Sequence, residues 1–196
     1  EGLYVNLYGS NHLKTKTSNG ETFEVEQQTS YPWFGKIILK IVKAPKSSQS
    51  FLLRFPGWSR GTQVAVNSEG IMEKIVPGSY FKIERKWKKG DVIELNIPMP
   101  IEVMEANPLV EEVKNQVAVK RGPIVYCLES NGLPENTSVN DVLLNINSTF
   151  TTDFIKIGDR NLLSINASSS IVPENTWDKK LYKPISTKLD PEELDI

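Results

Sequence analysis

Between Gly78 and Pro100 the sequence GSYFKIERKWKKGDVIELNIPMP reads as two alternating segments joined by a polar turn. Phe81, Ile83 and Trp87 share one side of the first segment, and Lys82, Glu84 and Lys86 share the other. In the second, Ile93, Leu95 and Ile97 alternate with Val92, Glu94 and Asn96. A helix would bring apolar residues back every three or four positions, so a period of two selects strands with one buried face. Lys88-Lys89-Gly90-Asp91 is a glycine-bearing turn between them, and the whole reads as a β-hairpin. The pattern sets the class as all-β and supplies no chemistry.

The same pattern recurs along the chain. Strands are expected over Leu3–Tyr8, His12–Thr17, Thr22–Gln28, Lys36–Lys43, Ser50–Phe55 and Gln63–Asn67. His12–Thr17 is polar enough for an edge strand, and KIILKIVK at Lys36–Lys43 is apolar enough for a central one. Asn19-Gly20 signals a tight hairpin. Pro98, Pro100 and Pro108 make central pairing costly, which places a domain boundary near Glu105–Pro108. Beyond it, QVAVK and PIVYCLE form a hairpin turned at Arg121-Gly122-Pro123, and strands return at Val142–Ile146, Thr151–Ile157 and Leu162–Ile165. The best case for a helix is the short acidic stretch Pro191–Leu194. The expected architecture is two consecutive antiparallel β-sandwiches of jelly-roll or immunoglobulin-like type, residues 1–106 and 107–196.

Composition narrows the partners. The 23 basic and 24 acidic residues are interspersed and leave a net charge of -1, without the basic stripe a nucleic-acid partner would need. No apolar run approaches the length of a bilayer, so no membrane partner is expected. The single cysteine, Cys127, excludes an internal disulfide and a multi-thiolate metal site. It sits in the apolar run PIVYCL, where a buried structural thiol is expected. His12, the only histidine, lies in the polar strand and is expected at the surface. Glu111 and Glu112 are adjacent and would point apart on a strand, and Glu102 and Glu105 flank the boundary, so no catalytic acid pair is assigned. No catalytic or metal-binding residue is expected in this chain. Trp33, in Tyr31-Pro32-Trp33-Phe34-Gly35, and Trp58, in Pro56-Gly57-Trp58, stand beside turns. Each could stack on a sugar or pack against a core or domain interface, and they are the candidate sugar-binding residues. Trp87 belongs to the core by its alternation, and Trp177 has no assigned role. Asn136, Asn147 and Asn166 begin N-x-S/T sequons, frequent by chance in a chain this rich in Asn, Ser and Thr.

Six segments together resemble one known family. They are GLYVNLY (Gly2–Tyr8), YPWFGKI (Tyr31–Ile37), LLRFPGW (Leu52–Trp58), GSYFKIERKWKKGDVIELNIPMPIE from Gly78, ANP (Ala106–Pro108) and VAVKRGPIVYCLE (Val117–Glu129). In this order they resemble the region after the catalytic domain in glycoside hydrolase family 127, which includes bacterial β-L-arabinofuranosidases.

The resemblance implies an N-terminal (α/α)6 barrel followed by two β-sandwiches, of which this chain looks like the sandwiches. The family's zinc-bound cysteine nucleophile, its other Cys and Glu ligands and its Glu acid/base belong to the barrel. None of them carries over, because the cysteine-rich motif that precedes GLYVNLY is absent and Cys127 matches a sandwich strand. The zinc is thus expected in the parent's catalytic domain, with no cofactor in this chain. The chain opens as if a strand were already under way, and a longer parent is expected. The family's final strand pair is replaced by LDPEELDI, so the second sandwich is expected to lack its last strands. The expected role is a non-catalytic scaffold for a glycan-hydrolysing parent that takes plant-type arabinofuranosyl linkages. Expected partners are the parent's barrel and a second copy in a homodimer. A carbohydrate-binding module and a structural or adhesion protein are the alternatives. The compartment stays open between bacterial cytoplasm and periplasm or secretion.

Overall fold

The structure is a computed structural model and describes residues 2–171, 181–182 and 192–195. Its first unit comprises Glu1–Pro100 with Gly122–Ile124. The strands of this unit are β1 (Gly2–Val5), β2 (Asn11–Lys16), β3 (Thr22–Thr29), β4 (Lys36–Lys43), β5 (Gln49–Arg54), β6 (Gln63–Val66), β7 (Glu69–Gly70), β8 (Tyr80–Arg85) and β9 (Val92–Asn96). They form two sheets, ordered β1-β5-β8 and β2-β3-β4-β9-β6-β7. Polar β2 lies at an edge and apolar β4 inside, as their compositions require. The β2–β3 connection carries Gly20 at a φ of 77°, the positive value that its tight turn needs. β1 runs parallel to β5, and the other pairings of the unit are antiparallel.

Alternation along each strand sends one set of side chains into a common core. Phe23 and Val25 enter it from β3, Ile37, Leu39 and Ile41 from β4, Phe51 and Leu53 from β5, Phe81 and Ile83 from β8, and Ile93 and Leu95 from β9. Phe51 stands edge-on to Phe23, with ring centroids 5.7 Å apart, and to Trp87 at 5.1 Å. Edge-to-face geometry sets the positive ring edge against the negative face of its neighbour.

The Gly78–Pro100 segment is not a hairpin. β8 pairs with β5 in the smaller sheet, whereas β9 pairs with β4 and β6 in the larger. Residues Lys86–Asp91 therefore carry the chain from one sheet to the other as an arch. An alternating strand needs a buried face and a hydrogen-bonded neighbour, and sequence proximity does not choose that neighbour. Trp87 fills the arch. It is buried, its Nε1 donates to the Gln49 carbonyl at 2.8 Å, and the Arg85 guanidinium lies 5.3 Å from its ring centroid.

Asp91 closes the arch. Its buried carboxylate accepts from the Lys88 backbone N–H at 2.8 Å and from Asn67 Nδ2 at 3.0 Å, while Asn67 Oδ1 accepts from Val92 N–H. Burial pushes the Asp91 carboxyl up. The Asn67 and Lys88 hydrogen bonds, with the nearby Arg85 and Lys88 charges, outweigh it and hold the group below its ordinary value. A carboxylate depressed in the folded state stabilises above the unfolded value, and that stabilisation is lost as pH falls through the folded one. Asp91→Asn is expected to cost about 1–3 kcal/mol at neutral pH. It should also flatten the loss of stability below about pH 4, read by urea titrations on either side of that pH. An unchanged acid limb would refute the role given to Asp91.

The second unit comprises Ile101–Arg121 with Val125–Ile196. Its strands, with β12 straddling the unit boundary, are β10 (Ile101–Glu105), β11 (Val117–Arg121), β12 (Ile124–Tyr126), β13 (Val142–Leu144), β14 (Thr151–Ile157), β15 (Arg160–Asn166), β16 (Ser168–Ile171) and β17 (Glu192–Asp195). They are ordered β10-β11-β12, β13-β16-β17 and β14-β15. Short 3-10 turns occupy Glu111–Val113, Ser130–Gly132 and Val139–Asp141, and the described residues hold no α-helix. The chain is thus all-β, with sandwich-like antiparallel sheets. The units part at Pro100, earlier than the boundary expected at 106, because Ile101–Glu105 pairs with Val117–Arg121. The acidic stretch considered for a helix contributes β17, whose backbone pairs with β16. The expected loss of final strands concerns LDPEELDI at residues 189–196, of which Glu192–Asp195 are described and the rest lie outside the described residues.

Candidate functional site

Trp33 lies in the Tyr31–Trp33 turn between β3 and β4, where Trp33 N–H donates to the Ser30 carbonyl at 3.0 Å. The ring is half-buried, and Phe34 beside it is exposed. A shallow groove of about 350 Å³ runs alongside, lined by Gln28, Thr29, Ser30, Phe34, Lys36 and Ile38. Trp58 is half-buried against the core, and a Cβ built on Gly122 would sit 3.4 Å from its ring and 3.3 Å from Met99 Sδ. Trp33 stands in the connection between β3 and β4, and Trp58 in the connection between β5 and β6. Trp177 lies outside the described residues.

His12 sits on the edge strand β2, exposed, with Nε2 3.0 Å from Glu24 Oε1. Cys127 is a correction. It follows the last residue of β12 and is exposed, because alternation puts it on the outward parity of Val125 and not on that of Ile124 and Tyr126. Glu102 pairs with Lys120 at 2.9 Å, while Glu111 and Glu112 occupy an exposed 3-10 turn. Asn136, Asn147 and Asn166 are all exposed.

Two features escaped the sequence reading. The second unit contains a cavity of about 890 Å³, walled among others by Val113, Val119, Tyr126, Leu144, Phe150 and Ile165. The Tyr126 hydroxyl is buried without a hydrogen-bond partner among the described residues, and burial, offset in part by Arg121, pushes its pKa up. On the first unit, Tyr4 and Tyr80 stand edge to face at 5.6 Å and are both exposed. The signal for that pair was present: β1 and β8 carry large apolar or aromatic side chains on both faces, inward at Val5 and Phe81 and outward at Tyr4 and Tyr80.

Among the described residues no three His, Cys, Asp or Glu side chains come together as a metal site requires. The zinc implied by the resemblance needs converging thiolates and carboxylates. Exposed Cys127 and the scattered acids do not fit it.

Two sandwich-like β units define the class as a β-sandwich region. The comparisons give that class its family. Residues 2–99 match the profile of the GH127 beta-L-arabinofuranosidase middle domain, and residues 101–184 that of the family 127 C-terminal domain. A non-reducing end beta-L-arabinofuranosidase of Bifidobacterium longum subsp. longum is 36% identical over 111 residues, which cover 54% of this chain and 16% of that protein. A solved glycoside hydrolase superposes with a TM-score of 0.89 at 32% identity, covering 98% of this chain and 32% of its own. A GH127 beta-L-arabinofuranosidase from Geobacillus stearothermophilus T6 gives 0.83 at 31%, covering 100% and 30%. The chain belongs to glycoside hydrolase family 127 and carries its middle and C-terminal domains. It spans about a third or less of the length of these relatives.

Proposed function

We propose that this chain is the non-catalytic, supporting region of a β-L-arabinofuranosidase-type glycoside hydrolase. The observation that carries the reading is that the family 127 middle and C-terminal domains account for both units, while no group of three metal-ligating side chains comes together among the described residues. Bond cleavage and the zinc belong to the parent's (α/α)6 barrel. That barrel is the partner of this region, and a plant-type arabinofuranosyl glycan is the parent's substrate. A homodimer contact through these domains is a further part of the proposal. The purified chain is expected to release no arabinose from a chromogenic β-L-arabinofuranoside above the buffer blank. Turnover that copurifies with the chain through two unrelated separations would overturn the assignment.

The second reading is a carbohydrate-binding module, favoured by the groove beside Trp33 and exposed Phe34. An aromatic face flanked by amide and hydroxyl groups suits the apolar face of a pentose. On this reading isothermal titration against arabino-oligosaccharides gives a saturable heat that Trp33→Ala removes and Trp58→Ala, at its separate turn, weakens. Flat titrations eliminate it.

A further inference from the structure

We propose that the outer face of the sheet β1-β5-β8, centred on Tyr4 and Tyr80, is the surface on which the catalytic domain of a family 127 polypeptide docks. The inference rests on the supporting role proposed above and names the face that carries it out.

The two sheets of the first unit present different chemistry outward. The larger sheet shows solvent a ladder of mixed charge. Lys14 stands opposite Glu24, and His12 stands opposite Glu26, which stands opposite Lys40, while Glu94 on β9 stands opposite Ile38. Such a face is at ease in water and costs free energy to desolvate. The smaller sheet differs. Its inward positions, Leu3, Val5, Phe51, Leu53, Phe81 and Ile83, serve the core. Its outward positions include Tyr4, 64% exposed, Leu52, and Tyr80, 45% exposed.

The centre of this face is ordered. The Tyr80 hydroxyl donates to Asn6 Oδ1 at 2.7 Å, and its ring holds that of Tyr4 edge to face. A Cβ on Gly2 would come within 3.2 Å of Leu52 Cδ1, so the glycine leaves room for that side chain. Arg54 stands opposite Tyr80 on the middle strand, Lys82 stands opposite Leu52, and Glu84 pairs with Lys82. Tyrosine and arginine together on one face are the residue types enriched at protein interfaces.

The occupant follows from length. This chain accounts for 32% of the chain of a solved relative that it matches over 98% of itself, so a family polypeptide carries about twice as much further protein. A domain of that size packed on a sandwich needs a contiguous, partly apolar face, and inter-domain interfaces are more polar than obligate ones. The Tyr4–Tyr80 face fits on both counts.

Hydroxyl-radical footprinting tests the assignment without any substitution. Side-chain oxidation is compared between the 196-residue chain and the full product of its gene. Tyr4 and Tyr80 are expected to lose most of their reactivity in the full product, with His12 on the charged sheet unchanged. If other side chains of residues 1–196 are shielded instead, the face is wrong and the supporting role stands. If nothing in residues 1–196 is shielded, or the gene product ends with them, the role fails too. Shielding in the isolated chain that disappears on dilution would assign the face to a second copy. Shielding by an arabino-oligosaccharide would assign it to sugar. Either result overturns the proposal.

Discussion

Phe51→Ala is expected to destabilise the first unit by about 3–5 kcal/mol, the range for truncating a fully buried aromatic. Phe51 is 1% exposed and meets both Phe23 and Trp87 edge to face. It also sits on β5, the middle strand of the smaller sheet, opposite Leu3 on one side and Ile83 on the other. Neighbours held by two pairings cannot close over the gap, so the cavity term adds to the lost transfer free energy. Urea unfolding followed by tryptophan fluorescence reads the effect, since Trp87 reports directly on the emptied site. A loss near 1 kcal/mol would mean that the site collapses, and would refute the rigid core described above.

Gly35→Ala is expected to be comparably severe for a different reason. A Cβ at Gly35 would lie 1.8 Å from the Ile97 carbonyl oxygen and 2.8 Å from its carbon. Those atoms are backbone, so no rotamer change relieves the clash, and Ile97 N–H already donates to the Gly35 carbonyl at 2.9 Å. The β4–β9 register, which begins at Lys36 and Asn96, would have to move. The expected cost is about 3 kcal/mol or more. Gly9→Ala is the control, because nothing lies within 4 Å of its Cβ position. It should stay within about 0.5 kcal/mol of the parent chain. Equal effects of the two substitutions would show that the close approach at Gly35 is not what constrains the strand pair.

The candidate site was less legible than the fold. Trp87 was placed in the core from its alternation with Phe81 and Ile83, and the structure puts it there. Cys127 was placed inside because it lies in the apolar run PIVYCL, and that reading failed because β12 alternates and Cys127 shares the outward parity of exposed Val125. Turn-side tryptophans carry no periodic signal at all. Their burial depends on what approaches from elsewhere in the chain, as Met99 and Gly122 do near Trp58. The family was legible because six short segments keep their order, a property of the chain that needs no coordinates.

What the sequence determined alone was the strands and their buried faces. β4 and β14 fall on Lys36–Lys43 and Thr151–Ile157 as expected, and the Asn19-Gly20 turn joins β2 to β3. Alternation and turn chemistry are local, fixed by side-chain period and backbone sterics within a few residues. Only the tertiary structure decided the partners. It set β8 and β9 in different sheets, laid β1 parallel to β5, and paired Ile101–Glu105 with Val117–Arg121 in the second unit. Backbone N–H and C=O groups are the same on every strand, so the choice among partners falls to packing between residues far apart in the chain.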